Sequence, residues 1–237
     1  MAYRLNSVLA VSLLGIAVSG QSLDAFKTIV DENQSLSILS EKEKLAKLRV
    51  FQQRLKSDSS QLTVFKFVDA AYRLCASDTL LGKQLKTEAY GLTKKLPRRN
   101  RYCTGDMVGL AVQLRLEGSH EDDAKWLMDS FPDQHFFILR YLECASSAPS
   151  ARKNASKLLT ISGKLVASQP TVSRYAVNDA FLHDFFAEDQ QELSFAIEKY
   201  RRCLGLSLSA ADKAFVARKL EAATRALPKL RRKKPTE

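Results

Sequence analysis

Little in this chain bends or breaks a helix. Nine glycines and six prolines serve 237 residues, and those present fall mostly where helical segments should end. No stretch alternates apolar and polar residues with β-branched enrichment, which argues against a sheet-based core. Beyond the N-terminus no run is long and apolar enough to cross a bilayer, for which about 20 apolar residues are needed. The four cysteines, Cys75, Cys103, Cys144 and Cys203, include no pair with metal-ligand spacing, so no zinc site is expected. There is no glycine-rich phosphate loop and no Ser-His-Asp or Cys-His context of a recognisable nucleophile. Acidic residues are outnumbered, 26 against 37 Lys and Arg, for a net charge of +11. The excess gathers in Lys94-Lys95-Leu96-Pro97-Arg98-Arg99-Asn100-Arg101 and in Lys229-Leu230-Arg231-Arg232-Lys233-Lys234. Neither run has interleaved aromatics, so both are read as a solvated linker and a tail rather than as nucleic-acid sites.

What is present begins with a leader-like N-terminus. Arg4 is the only charge before Asp24, Val8–Val18 is a short apolar run, and the small residues Val18 and Gly20 precede Gln21. That is the pattern of a secretory signal peptide over residues 1–20, too short to span a membrane. A mitochondrial presequence would want several arginines. The expected location is the endoplasmic reticulum lumen or beyond it, an oxidising space in which the four cysteines could form disulfides with three alternative pairings. They could equally be buried thiols, since Cys75 shares a helical face with Val64, Val68 and Ala71, and Cys144 shares one with Phe137 and Tyr141. Asn33-Gln34-Ser35 and Asn154-Ala155-Ser156 are glycosylation sequons in such a lumen.

The remaining chain reads as all-α. Residues 21–98 form an N-terminal helical section with a coiled-coil-like character and an expected role in dimerisation. In it, Ser40-Glu41-Lys42-Glu43 looks like a capping box ahead of Leu45, Leu48, Phe51 (or Gln52) and Leu55 near heptad spacing. Helices over Gln61–Ala76 and Thr79–Leu96 follow, and Arg98–Asn100 is the expected boundary. Residues 99–227 read as helix pairs of a tetratricopeptide-like α-solenoid, with pairs starting roughly 27 to 40 residues apart. The first pair is Asp106–Glu117 with Glu121–Phe131. Pro132 and Pro149 open the next two helices, and Val172–Ala187 with Asp189–Leu204 form another pair. A last helix starts at Ser209, and 228–237 is a basic tail. Ala124 and Ala196 are the expected small residues at the contact inside their pairs, and Trp126 the structural aromatic of its hairpin.

Met107–Phe131, with Leu110 and Trp126 in ungapped register, resembles the tetratricopeptide-type peptide-substrate-binding domain of prolyl 4-hydroxylase alpha subunits. Gln61-Leu62-Thr63-Val64-Phe65-Lys66-Phe67-Val68-Asp69-Ala70-Ala71-Tyr72-Arg73-Leu74 is similar to a short motif of that family. Tyr175–Leu208 is similar to its second helix pair, and Leu23–Ser57 to its dimer-forming part. The resemblance implies a lumenal module that binds proline-rich, procollagen-like peptide. It also implies association with itself or with full-length alpha subunits.

The family's activity, procollagen-proline 4-dioxygenation with Fe(II), 2-oxoglutarate and ascorbate, resides in a further β-helix domain. This polypeptide stops at Glu237 and is not expected to carry that chemistry or those cofactors alone. His120-Glu121-Asp122 matches His-x-Asp formally, with His135 or His183 as a third group, but it falls in a turn between helices and is read as solvated. Family tyrosines that cradle a polyproline II chain are replaced here by Arg115, His120 and Glu121. The candidate peptide-binding residues are therefore Tyr141, Tyr175, Phe137, Arg115 and His120. Phe136, Phe185 and Tyr200 are further aromatics, each with a core reading beside the groove reading. The alternative is a secreted helical-repeat adaptor with no link to proline. Nucleic acid and membrane are not expected partners.

Overall fold

A computed structural model describes residues 23–75 and 79–230; the expected signal peptide and most of the basic tail lie outside them. Among the described residues the fold is all-α, with eleven helices and no strand. In chain order these are α1 (23–35), α2 (Glu41–Ser57), α3 (Gln61–Leu74), α4 (Leu80–Leu92), α5 (Arg101–Leu114), α6 (Glu121–Ser130), α7 (His135–Ser147), α8 (Ala155–Ser168), α9 (Ser173–Phe186), α10 (Gln190–Leu204) and α11 (Ala210–Ala226). None is long and apolar enough to cross a membrane. The chain divides into two compact units, Met1–Leu116 and Glu117–Glu237.

Local signals set most helix starts. Ser40 accepts from the Glu43 amide while Glu43 returns a carboxylate to the Ser40 amide at 2.9 Å, a complete capping box. Ser60, Thr79, Asn100, Asp189 and Ser209 cap α3, α4, α5, α10 and α11 in the same one-sided way. The Asn100 cap starts α5 at Arg101, five residues before the expected helix. The Arg98–Asn100 boundary is thus a helix connection inside the N-terminal unit, and the units divide after Leu116 instead.

In the N-terminal unit α3 is the central rod. Val64, Phe65, Phe67, Val68, Ala70 and Ala71 are all buried on it, and α2, α4 and α5 pack around them. Phe26 of α1 meets Phe65 edge-on at 4.9 Å. Full burial of each such large side chain stabilises by about 1.5–3 kcal/mol. Cys75 and Cys103 sit in this same core. Asn33, in the first sequon, is completely buried and donates its amide to the Asp69 carboxylate at 2.9 Å, a position no glycan can share with this packing.

In the C-terminal unit, successive helices α6 to α11 pack on one another in chain order, as in a helical-repeat array. The α9–α10 pair and α11 enclose Val177, Ala180, Tyr200, Cys203 and Val216. Ala180 is the small α9 residue of this cluster. Ala196 is fully buried in the neighbouring cluster that α10 builds with Ala223 of α11. Ala124 is fully buried on α6. The expected Asp106–Phe131 hairpin is split by the unit boundary. α5 buries its stripe against α3 and α4, and α6 buries its own against α7.

All four cysteines are buried free thiols, the second of the two alternatives. Burial lifts Cys75 to about 11 and Cys144 to about 12, so neither is a thiolate at neutral pH.

Candidate functional site

The C-terminal unit carries an open cleft of about 1220 Å³ between α8 and α10, closed at one end by the link after α9. Leu159 and Thr160 of α8, Phe186 of α9 and Ala187 of the link line it, and Phe195 of α10 forms the opposite wall. Phe195 is 51% exposed and stands off the core stripe of its helix. Two contacts fix its ring. The His183 imidazole meets it edge-on at 5.0 Å, and the Lys199 ammonium lies 4.8 Å from its centroid. Lys199 is itself held by Asp179 at 2.6 Å, and His183 Nε2 stands 4.0 Å from the same carboxylate.

His183 belongs to the apolar wall for an electrostatic reason. Burial, assisted by the charge of Lys199, outweighs the pull of Asp179 and holds its pKa below the ordinary histidine value. At neutral pH the ring is uncharged.

The lips are charged. The 3-10 turn Ala151–Asn154 contributes Arg152 and Lys153, the α9–α10 link contributes Glu188 and Asp189, and the first turn of α10 contributes Glu192. That link is rigid. Asp189 accepts from the Glu192 amide at 2.9 Å, and the Glu188 amide donates to Glu192 Oε2 at 2.8 Å. Arg152 reaches Glu188 at 3.9 Å and lies over the Phe185 ring at 5.8 Å; an exposed pair of this kind is worth little to stability. The result is an apolar floor and one aromatic wall between lips of both signs. Its volume exceeds the roughly 300–1,000 Å³ usual for small-molecule pockets.

The five peptide-binding residues expected from sequence do not come together here. Tyr141 is 3% exposed and part of the α7 core. Tyr175 is half-buried on α9. Phe137 joins a row of rings, Trp126 to Phe131 at 5.9 Å, Phe131 to Phe137 at 5.7 Å and Phe137 to Phe136 at 5.8 Å, with Arg140 over Phe136 at 4.7 Å. Trp126 thus reaches α7 through Phe131. Arg115 lies in the other unit, where it ends α5 in the left-handed conformation at φ 61°. The Arg115 amide donates to Val112 O at 3.2 Å and the Leu116 amide to Ala111 O at 2.7 Å, a Schellman turn usually given to glycine. His120 pairs with Asp123 at 3.2 Å rather than with Asp122. Among the described residues no three His, Cys, Asp or Glu side chains are placed to share a metal ion. Tyr200 is fully buried with its hydroxyl on Asp184 at 3.1 Å, so its core reading is the one realised.

The sequence reading does not single out Phe195, and it names His183 only as a formal third metal group. The signal was available. The apolar stripe of α10 runs through Leu193, Ala196, Ile197 and Tyr200, and Phe195 stands off it, beside Ser194.

No protein-family description, no curated protein and no solved structure matches this chain.

Proposed function

We propose that this chain is a peptide-binding helical-repeat protein of the secretory lumen, and that its α8–α10 cleft receives an extended, proline-rich segment. The observation that carries the reading is the exposed Phe195 ring, held by His183 and Lys199 over an apolar floor. A polyproline II chain is preformed and loses little entropy on docking, and its pyrrolidine rings pack on aromatic faces. The likeness of Met107–Phe131 and Gln61–Leu74 to prolyl 4-hydroxylase alpha subunits supports the same ligand class, a lumenal location, and association with such subunits or with a second copy through α1 and α2. On this reading the chain presents peptide and another polypeptide supplies the oxidative chemistry.

A second reading rests on the lips. Arg152 and Lys153 facing Glu188 and Glu192 would suit an extended segment of alternating charge without proline, the ligand of a general adaptor. One titration separates the two. A Pro-Pro-Gly repeat peptide and a proline-free peptide of alternating Lys and Glu are each added to the folded protein and followed by calorimetry. The proline peptide is expected to bind, and Phe195→Ala to weaken it by about tenfold, the loss of one well-packed aromatic anchor. Binding of the charged peptide alone would transfer the cleft to the adaptor reading. No heat with either peptide would remove both.

A further inference from the structure

Two Asn-x-Ser sequons stand in the described residues, and the fold treats them oppositely. Asn33 is wholly buried, and its Nδ2 donates to Lys66 O at 3.1 Å and to Asp69 Oδ2 at 2.9 Å. A sugar on that nitrogen would remove both bonds and part α1 from α3. Asn154 is half-buried where the 3-10 turn Ala151–Asn154 meets α8. It holds the N-cap place, for which asparagine is among the best residues, yet its side chain takes no capping bond from the helix. The starts of α2, α3, α4, α5, α10 and α11 all use theirs. A substituent on the Asn154 amide therefore costs α8 no cap. Ser156, the third residue of this sequon, is exposed, and the residue between them is alanine rather than proline.

We propose that Asn154 is an N-glycosylation site, and that the sugar it carries screens the α8 lip of the cleft. The inference rests on the lumenal location proposed above and not on the proline ligand. In the reaction Asn154 Nδ2 attacks C1 of an oligosaccharide carried on a lipid pyrophosphate. The N–C1 bond forms as the C1–O bond breaks, and the lipid pyrophosphate leaves with the bonding electron pair while the nitrogen gives up one proton. Whichever sequon is modified while the chain is extended, only a chain bare at Asn33 can then pack α1 on α3.

The position fixes what the sugar does. Lys153 before Asn154, and Ala155 and Ser156 after it, all line the cleft. Arg152 and Lys153 are exposed cations on the same lip. A glycan is bulky and solubilising. Anchored among these residues, it covers the basic side of the cleft mouth, opposite the wall that Phe195 forms on α10.

The test makes the full chain in eukaryotic secretory cells and takes the mass of the folded protein before and after an endoglycosidase that leaves one sugar residue. A single glycan is expected, on the peptide that holds Asn154. Asn154→Gln and Ser156→Ala should each lose it entirely. Ser35→Ala, which keeps Asn33 and its bonds, should leave it in place. The screen is read by amide NMR of the glycosylated and trimmed proteins in the presence of a water-soluble gadolinium chelate. Broadening at Lys153, Ser156 and Leu159 is expected to rise severalfold on trimming, with Phe136 on α7 unchanged. Equal broadening in the two forms overturns the screen. A lumenal chain bare at Asn154, or a folded one carrying sugar on Asn33, overturns the site while the lumenal location stands. A chain digested by protease added outside intact microsomes has not entered the lumen, and that result overturns both.

Discussion

Arg73→Leu is expected to destabilise the N-terminal unit by about 1–3 kcal/mol, the cost of leaving the buried Asp69 carboxylate without its charged donor. Arg73 Nε bonds Asp69 Oδ1 at 2.6 Å, and its NH2 group stands 3.8 Å from Asp106 Oδ1. Asp69 is wholly buried and Asp106 nearly so. Asn33 supplies a further donor to Asp69 from α1, while Asn33 Oδ1 and Asp106 Oδ2 are buried without a hydrogen-bond partner. Three helices thus converge on one guanidinium. Without it the buried Asp69 carboxylate keeps only the Asn33 amide as a donor. Native-state hydrogen exchange of the α3 amides reads the change within the unit; a loss under 1 kcal/mol would contradict the assignment.

The same cluster makes a pH prediction with a definite sign. Burial, then the neighbouring Asp69 charge, raise the Asp106 pKa well above the ordinary carboxylate range, and Arg73 offsets only part of this. The folded unit therefore keeps a proton that the unfolded chain releases near pH 4. The stability so linked is fully present below that range and is lost as pH rises through the folded-state value. Asp106→Asn mimics the protonated form. It should match the parent in acid and exceed it increasingly on the alkaline side, by the same exchange measurement. Parallel pH profiles for the two proteins would refute the linkage.

Gly118→Ala should destabilise the C-terminal unit by about 1–3 kcal/mol, the range for forced overpacking. A β-carbon on Gly118 would lie 2.7 Å from the Ser147 carbonyl oxygen and 3.2 Å from its carbon. Those are backbone atoms at the end of α7, and they cannot swing aside as a side chain could. The Ser147 hydroxyl also donates to Glu117 Oε1 at 3.0 Å, which fixes the 3-10 turn Glu117–His120 against that helix end. Gly163 gives the contrast, since a β-carbon there meets nothing within 4 Å. Gly163→Ala, inside α8, should stabilise by roughly 0.5–1 kcal/mol. Trp126, the single tryptophan, lies in this unit, so urea unfolding followed by its fluorescence reports both variants. Equal shifts of the same sign would contradict the close approach.

What the sequence made legible was local. Ser40 with Glu43, Asp189 with Glu192 and Ser209 with Asp212 are short-range bonds between residues three apart, and each marked a helix start that the structure keeps. Partner choice was not legible. Val108, Leu110 and Ala111 form a stripe that would fit α6 as well as α3 and α4, and helical period alone does not select between them. The buried polar set Asn33, Asp69 and Asp106 was hidden because polar residues on an apolar face look like interruptions until their partners are known. Tyr141 and Phe195 show the converse. The tyrosine looked available for a groove and is core, whereas the phenylalanine, off the apolar stripe of its helix, forms a cleft wall.

The central claim is that the α8–α10 cleft, rather than the ring row on α6 and α7, is where this protein meets an extended peptide. Amide and methyl NMR of the folded protein titrated with a Pro-Pro-Gly repeat peptide locates the contact directly. Saturable shifts are expected at Leu159, Ala187, His183 and Phe195, all reduced in Phe195→Ala. Shifts centred on Trp126, Phe136 and Phe137, with the cleft signals still, would contradict it.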